Sequence, residues 1–188
     1  MPTPKLYLYK ARDTNIVAIL RRGLQRDDWE LIKWNLDTDT FTEGQWLTHK
    51  HMNGKYCAIS PDGKYFAYHY KEYTKNIYTA QAAISKLPNF TAIYYTDQFP
   101  GNWDSVGFNT DNSVCVSPEK GWQLKTEDSE LKINPVQEFI HNGYIHSEVW
   151  IDPKGRSITT EKGKLYANGQ LIYDTTTYLC IPKDSLLP

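Results

Sequence analysis

The residues best suited to acid–base chemistry are two histidines and a glutamate in the last third of the chain. His141 and His146 flank Asn142-Gly143, and Glu148 follows them. Together they could supply a general base and its orienting carboxylate, which requires contact within about 3 Å. No serine or cysteine elbow stands nearby, and Gly-x-Ser-x-Gly is missing. The three residues therefore support a hydrolase or lyase only as the alternative function.

Two further patterns suggest metal ligands, and both have a simpler interpretation. His49 and His51 would share one face of a strand, but Thr48 to Gly54 has the composition of a loop, and a lysine separates the histidines. Asp37, Asp39 and Glu43 resemble the start of a calcium loop without its glycine and distal glutamate spacing, so a β-turn is favoured. No glycine-rich phosphate loop follows a strand. We predict no metal and no cofactor.

An aromatic segment between positions 94 and 104 is the best candidate for a binding site. Its proline, glycine and asparagine content predicts a loop, and loops on a rigid β scaffold often carry binding residues. The predicted partner-binding residues are Tyr95, Asp97, Phe99, Trp103 and Asp104. Alternatively, Tyr94 and Trp103 end strands and only fill space. In a carbohydrate-binding module, Trp103 or Trp122 would be the stacking platform.

The charge distribution excludes binding driven by a strong overall field. The chain has 21 basic and 22 acidic residues and a net charge of −1. One basic concentration, interleaved with aromatic residues as in single-strand binders, comprises Lys10, Arg12, Arg21, Arg22 and Arg26. Nearby acids (Asp13, Asp27, Asp28 and Glu30) neutralise it locally, which favours a mixed solvated surface. We expect no nucleic-acid partner.

The ends and the cysteines indicate a cytoplasmic protein. The first nine residues lack an apolar run long enough for a signal peptide, and no later segment could span a membrane. Cys57, Cys115 and Cys180 lie far apart, which argues against a disulfide framework or a zinc site. Buried free thiols in a reducing compartment are the expected state.

Short alternating segments predict β-strands along most of the chain. The clearest hairpin lies around Pro61-Asp62-Gly63, where proline presets the turn and glycine accepts positive φ. The apolar run from Ile16 to Leu20 predicts a strand buried on both faces. Only the alanine-bearing stretch from Gln81 to Ser85 lets helix compete.

Related turns recur and divide the chain into four units. The turn aspartates Asp13, Asp62, Asp111 and Asp152 lie 49, 49 and 41 positions apart. Propeller blades of four strands repeat at about 40–50 residues, and about four blades are the fewest that normally close a ring. We predict a single domain over 1–188 with units at roughly 5–48, 54–97, 104–134 and 143–182.

The segment from Ala58 to Ala67, with Ser-Pro-Asp-Gly between two apolar strands, resembles the blade core of WD-repeat-like and TolB-like β-propellers. The resemblance covers one unit well and three loosely, and the Gly-His and Trp-Asp signatures of true WD repeats are absent. The chain also resembles small bacterial proteins of unknown function that share its Leu-Arg-Arg-Gly, Leu-Ile-Lys-Trp and Ser-Pro-Asp-Gly segments. That resemblance implies a soluble bacterial protein and no known activity.

These observations predict an all-β, propeller-like array of about four antiparallel blades. The expected function is non-catalytic protein binding in the cytoplasm, and its most concrete form is an immunity protein that inhibits a bacterial toxin. Leu6–Tyr9 and Tyr178–Ile181, each without an evident hairpin partner, are predicted to pair and close the ring.

Far-ultraviolet circular dichroism checks the fold class directly. We expect a strand spectrum with almost no helical signal, because most segments alternate with period two. A helical content above about a quarter of the residues, near the average for globular proteins, would contradict the all-β prediction.

Overall fold

The computed structural model describes residues 3–24, 27–74, 77–96, 107–115, 122–124, 131–134 and 143–177. Every regular element in these ranges is a β-strand, which confirms the all-β prediction. The stretch from Gln81 to Ser85, for which a helix was the alternative, lies within a strand as well. Within the described ranges there is no helix of the length and apolarity needed to cross a membrane.

Sheet 1 is a four-stranded antiparallel meander made from the first unit. Its strands lie side by side in chain order, each antiparallel to the next. The run from Val17 to Leu20 is fully buried, as predicted for a strand covered on both faces. The strands are β1 (Lys5–Lys10), β2 (Ile16–Arg22), β3 (Trp29–Asn35) and β4 (Thr40–Leu47).

Sheet 2 is also antiparallel and has six strands, two more than sheet 1. The Pro61-Asp62-Gly63 hairpin joins the second strand of this unit to the third, as the sequence predicted. The strands of the unit are β5 (His51–Met52), β6 (Ala58–Ile59), β7 (Tyr65–Thr74), β8 (Ile77–Lys86) and β9 (Ala92–Thr96). A later strand, β12 (Trp122–Leu124), joins the outer edge of β9.

Sheets 3 and 4 come from the remaining units. Sheet 3 contains β10 (Gly107–Phe108), β11 (Val114–Cys115) and β13 (Ile133–Asn134), and its β11–β13 pair is parallel. Sheet 4 is again a four-stranded antiparallel meander. Its strands are β14 (Val149–Ile151), β15 (Ser157–Glu161), β16 (Lys164–Ala167) and β17 (Gln170–Asp174).

The sheets stack face to face in the order 4-1-2-3. Tyr9, Leu20 and Leu31 of sheet 1 pack against sheet 2, in a cluster that includes Phe66 and Tyr68. The opposite face of sheet 1 packs on Ile158, Leu165 and Ala167 of sheet 4, and the far face of sheet 2 packs on Phe108 and Val114 of sheet 3. Among the described residues no buried cluster joins sheet 3 to sheet 4, so a closed ring is not confirmed.

The turns that open the units contact one another. The Asp13 amide donates to the Pro61 carbonyl at 2.8 Å, and the Asp62 amide donates to Asn112 Oδ1 at 2.8 Å. Arg12 reaches the Thr110 carbonyl at 2.9 Å. Direct bonds between turns therefore fix the first three units relative to one another at one end of the stack.

The third turn has the same hydrogen-bonded plan as the second, although it contains neither proline nor glycine. In both turns a carboxylate (Asp62 or Asp111) accepts from the backbone and hydroxyls around it. The position that Gly63 occupies at φ +74° is taken by Asn112 at φ +66°. Asparagine tolerates this left-handed conformation better than most residues, so it replaces glycine here.

The first strand has a local hairpin partner, contrary to the sequence-based interpretation. β1 pairs with β2 over six residue pairs, and its other edge forms an isolated bridge from Tyr9 to Tyr144. The turn at Ala11-Arg12-Asp13-Thr14-Asn15, one of the four predicted turns, is the one that joins β1 to β2. Tyr178–Ile181 lies outside the described residues, so pairing with that segment stays a prediction.

An ion-pair network connects sheet 1 to sheet 4. Asp39, at the β3–β4 turn with φ +53°, accepts two bonds of 2.8 Å from the Arg156 guanidinium and one of 3.0 Å from Lys154 Nζ. Arg156 also donates to Asp152 at 2.7 Å. The bonds from Arg156 are the main reason that the pKa of Asp39 falls to about 2. The carboxylate thus adds a polar link to the apolar contacts between the two sheets.

We predict that Asp39→Asn lowers the free energy of unfolding at pH 7 by about 1 kcal/mol, a value reduced for the screening of an exposed pair. Asparagine keeps the left-handed turn but loses the charge. Because the folded-state pKa lies below the value of about 3.9 for an unfolded aspartate, this stabilisation is complete above pH 4 and is lost as the pH falls through about 2. Denaturant unfolding at several pH values measures it.

A double-mutant cycle with Arg156→Gln serves as the control for this prediction. A positive coupling energy at pH 7 that shrinks toward pH 2 attributes the effect to the ion pair. An equal loss for Asp39→Asn at both pH values would instead show that the turn geometry matters and the charge does not.

Candidate functional site

The loop site predicted from the aromatic segment is described at only one of its residues. Tyr95 lies on β9, pairs with Ala83 and Gln123, and packs half-buried against the cluster between sheets 1 and 2. The Tyr95 ring therefore contributes at least to the packing of the protein. Asp97, Phe99, Trp103 and Asp104 lie outside the described residues, and their role in binding stays a prediction.

The candidate acid–base residues do not form a constellation in the described part of the chain. His146 and Glu148 are both exposed in the segment that leads into sheet 4, and no hydrogen bond is described between them. The His146 ring meets the Tyr144 ring edge-on, with centroids 4.4 Å apart. His141 lies outside the described residues. The geometry of the described pair thus offers no oriented base.

The two suspected metal patterns are engaged in other contacts. His51 lies on the short strand β5, where its Nδ1 is 3.1 Å from Asp27 Oδ1, while His49 has φ +58° just before it. Asp39 is occupied by Arg156 and Lys154, and Glu43 accepts a bond from the Tyr173 hydroxyl at 3.2 Å. In the described ranges no three His, Cys, Asp or Glu side chains are close enough to hold a metal ion.

The described cysteines are unsuited to nucleophilic chemistry. Cys57 and Cys115 are buried thiols, as the sequence predicted, and Cys180 lies outside the described residues. Burial raises the pKa of the Cys57 thiol to about 12, against weaker opposing hydrogen bonds. A thiol of that pKa is protonated at neutral pH and therefore a poor nucleophile.

Two arginines of the basic concentration noted in the sequence form ion pairs, and Arg26 lies outside the described residues. Arg12 pairs with Asp13 at 2.6 Å, and Arg21 pairs with Glu30 at 2.9 Å inside the protein. Burial raises the pKa of Glu30 despite this pairing, and the Arg21 guanidinium also lies 4.8 Å from the Trp46 ring. Arg22 has no ion pair or hydrogen bond among the described residues. Its guanidinium is therefore open to a ligand.

Arg22 stands between two cavities, which we call together the Arg22 cleft. The first has a volume of about 210 Å³ and includes Tyr7, Trp29, His51 and Gly54 in its wall. The second, of about 330 Å³, lies between β1 and the β15–β16 turn at Glu161 and Lys162. The cleft thus combines an aromatic wall with a half-buried guanidinium.

A second surface, the outer face of sheet 4, exposes aliphatic side chains. Trp150, Ile158 and Leu165 point toward sheet 1, so the alternating residues of the same strands point away from it. Cross-strand pairs place Val149, Thr159, Tyr166 and Leu171 in one row across the outer face, with Ile151 beside it. Val149, Ile151 and Leu171 are 52%, 59% and 50% exposed.

Comparison with known proteins provides no information about the site. No protein-family model matches this chain, and neither does any curated protein.

Sequence reasoning missed both surfaces. The acidic neighbours of Arg22 in the sequence suggested neutralisation, but strand register assigns Glu30 to Arg21 and leaves Arg22 opposite Lys5 and Trp29. In β14 the apolar residues Val149, Trp150 and Ile151 are consecutive, so no alternation shows which ones face outward. The weak available signal was Lys5-x-Tyr7, which places a cation and an aromatic ring on one face of a strand.

Proposed function

We propose that this protein is a non-catalytic binding protein whose partner is another protein. The observation that carries the proposal is the outer face of sheet 4, where three aliphatic side chains on the two edge strands are half exposed or more. A row of exposed apolar residues across one face marks an interaction site more often than scattered single residues do. We assign the contact to Val149, Ile151 and Leu171, with Tyr166 and Thr159 between them.

The edges of this face favour an apolar contact without a strong charge requirement. Glu161 pairs with Lys162 at 3.2 Å, and Lys164 pairs with Asp174 at 3.1 Å. The flanking charges are thus balanced within the protein. Interfaces commonly combine an apolar centre with a polar rim, and this arrangement supports a protein partner over a charged polymer.

The most concrete form of the proposal is an immunity protein that inhibits a bacterial toxin. The small size and near-neutral net charge are compatible with this role. A cytoplasmic location belongs to the same proposal and is supported by the buried thiols of Cys57 and Cys115. No second function is proposed, because the exposed His146 and Glu148 do not meet.

The propeller-like array of blades is also kept as a proposal. It is supported by the stacking order 4-1-2-3 and by the similar meanders of sheets 1 and 4. In a closed ring the outer face of sheet 4 would be covered by sheet 3. The exposure of Val149, Ile151 and Leu171 favours an open array in which this face is available to the partner.

Site-specific photo-crosslinking tests the binding surface. A photoreactive residue at position 151 is expected to trap one defined protein in an extract of the native host, whereas the same residue at exposed position 110 is not. Replacing Val149 and Leu171 by threonine should weaken capture about tenfold, equivalent to about 1.4 kcal/mol. Equal capture at 151 and 110, or capture unaffected by the threonines, would contradict the proposed surface.

Thermal unfolding of the Val149→Thr/Leu171→Thr variant separates binding from folding. Exposed positions usually tolerate substitution within about 0.5 kcal/mol, so we expect nearly unchanged stability. A large drop in melting temperature would mean that the outer face is buried in solution, which would favour a closed ring and exclude this face as the binding surface.

A further inference from the structure

Three cations at the Arg22 cleft have no acidic partner among the residues that the structure describes. Besides Arg22, the cations near Tyr7 are Lys5, whose Nζ lies 5.0 Å from the ring centroid, and Lys55, which acts electrostatically on the phenol. None of the three has an ion pair among the described residues. Of the acids around the two cavities, Asp27 contacts His51 and Glu161 pairs with Lys162.

The wall of the cleft is rigid and aromatic. Tyr7 and Trp29 lie with ring centroids 6.0 Å apart, and the Trp29 indole donates to the Lys50 carbonyl at 3.0 Å. Gly54 approaches so closely that a Cβ there would lie 2.7 Å from atoms of the Tyr7 ring. The chain at Gly54 is also held by a hydrogen bond from the Tyr9 hydroxyl. The ring therefore has little freedom to move.

Burial and charge act in opposite directions on Tyr7. Burial raises the pKa of its phenol, and this effect exceeds the lowering by Arg22 and Lys55. Tyr7 consequently stays protonated at neutral pH, so it does not neutralise the cations with a negative charge of its own. A ligand oxygen that enters the cleft meets uncompensated cations beside a low-dielectric wall, where charge interactions are stronger than in water.

We propose that the Arg22 cleft binds a carboxylate, supplied by an acidic side chain of the partner protein. A guanidinium presents paired donors that match a carboxylate in a bidentate arrangement. The second cavity of the cleft reaches the Glu161–Gly163 turn, which also flanks the outer face of sheet 4. One partner could thus place apolar residues on that face and an acidic residue in the cleft, and in this sense the inference rests on the proposed function.

Titration calorimetry with a hexaglutamate peptide tests the cleft without any partner. We expect measurable binding at low salt that weakens as salt rises, because exposed charges are screened. Arg22→Gln should reduce affinity about tenfold or more, and Arg22→Lys should fall between this variant and the wild type. Lys132→Gln removes one exposed positive charge outside the cleft and should change affinity less than twofold.

A further variant and a second ligand distinguish the possible results of this titration. Lys55 is exposed, so Lys55→Gln should fold normally and still weaken peptide binding, which guards against an Arg22 variant that fails to fold. Binding of inorganic phosphate but not hexaglutamate would overturn the assignment to an acidic protein side chain. No binding, or equal effects of Arg22→Gln and Lys132→Gln, would overturn the site. None of these results depends on crosslinking at sheet 4, so the two proposals can fail separately.

Discussion

The burial of both faces of sheet 1 is the constraint on which the rest of the structure depends. A four-stranded meander of this size cannot cover itself, and Val17, Ala18, Ile19 and Leu20 have no exposed surface. One face needs sheet 2 and the other needs sheet 4. The order of the stack follows from this requirement, because sheet 1 must lie inside it and sheets 3 and 4 must lie at its ends. An outward apolar face on sheet 4 is a consequence of that order.

Apolar burial alone would allow the stacked sheets to slide, and the turns supply the missing alignment. Hydrogen bonds from Asp13 to Pro61 and from Asp62 to Asn112 join neighbouring turns with defined direction. Asp39 and Arg156 make the corresponding connection between sheets 1 and 4. Polar contacts of this kind contribute modest net stability but discriminate strongly between arrangements, since a displaced sheet would leave their donors and acceptors unpaired.

The fold class was predictable because strand alternation and turn chemistry are local properties. The Ser60–Lys64 turn could be identified from its residues, and the Ile16–Leu20 strand from its apolar run. The equivalent turn at Asn109–Ser113 was harder to recognise, because Asn112 takes the place of glycine. The candidate sites depend on register between distant segments. Whether Arg21 or Arg22 meets Glu30 is decided by how β2 pairs with β3, and sequence neighbours carry no information about that choice.

The outer face of sheet 4 and the Arg22 cleft would contribute differently to one complex. An apolar face contributes affinity without fixing orientation, because burial of aliphatic groups is not directional. A guanidinium in a cleft adds orientation, since a carboxylate must approach it in a defined plane, and a partner lacking the carboxylate would leave Arg22 desolvated and unpaired. The charges around the outer face of sheet 4 are paired within the protein, whereas Arg22, Lys5 and Lys55 have no ion pair in the described ranges. Selectivity among partners should therefore reside in the cleft and not in the apolar face.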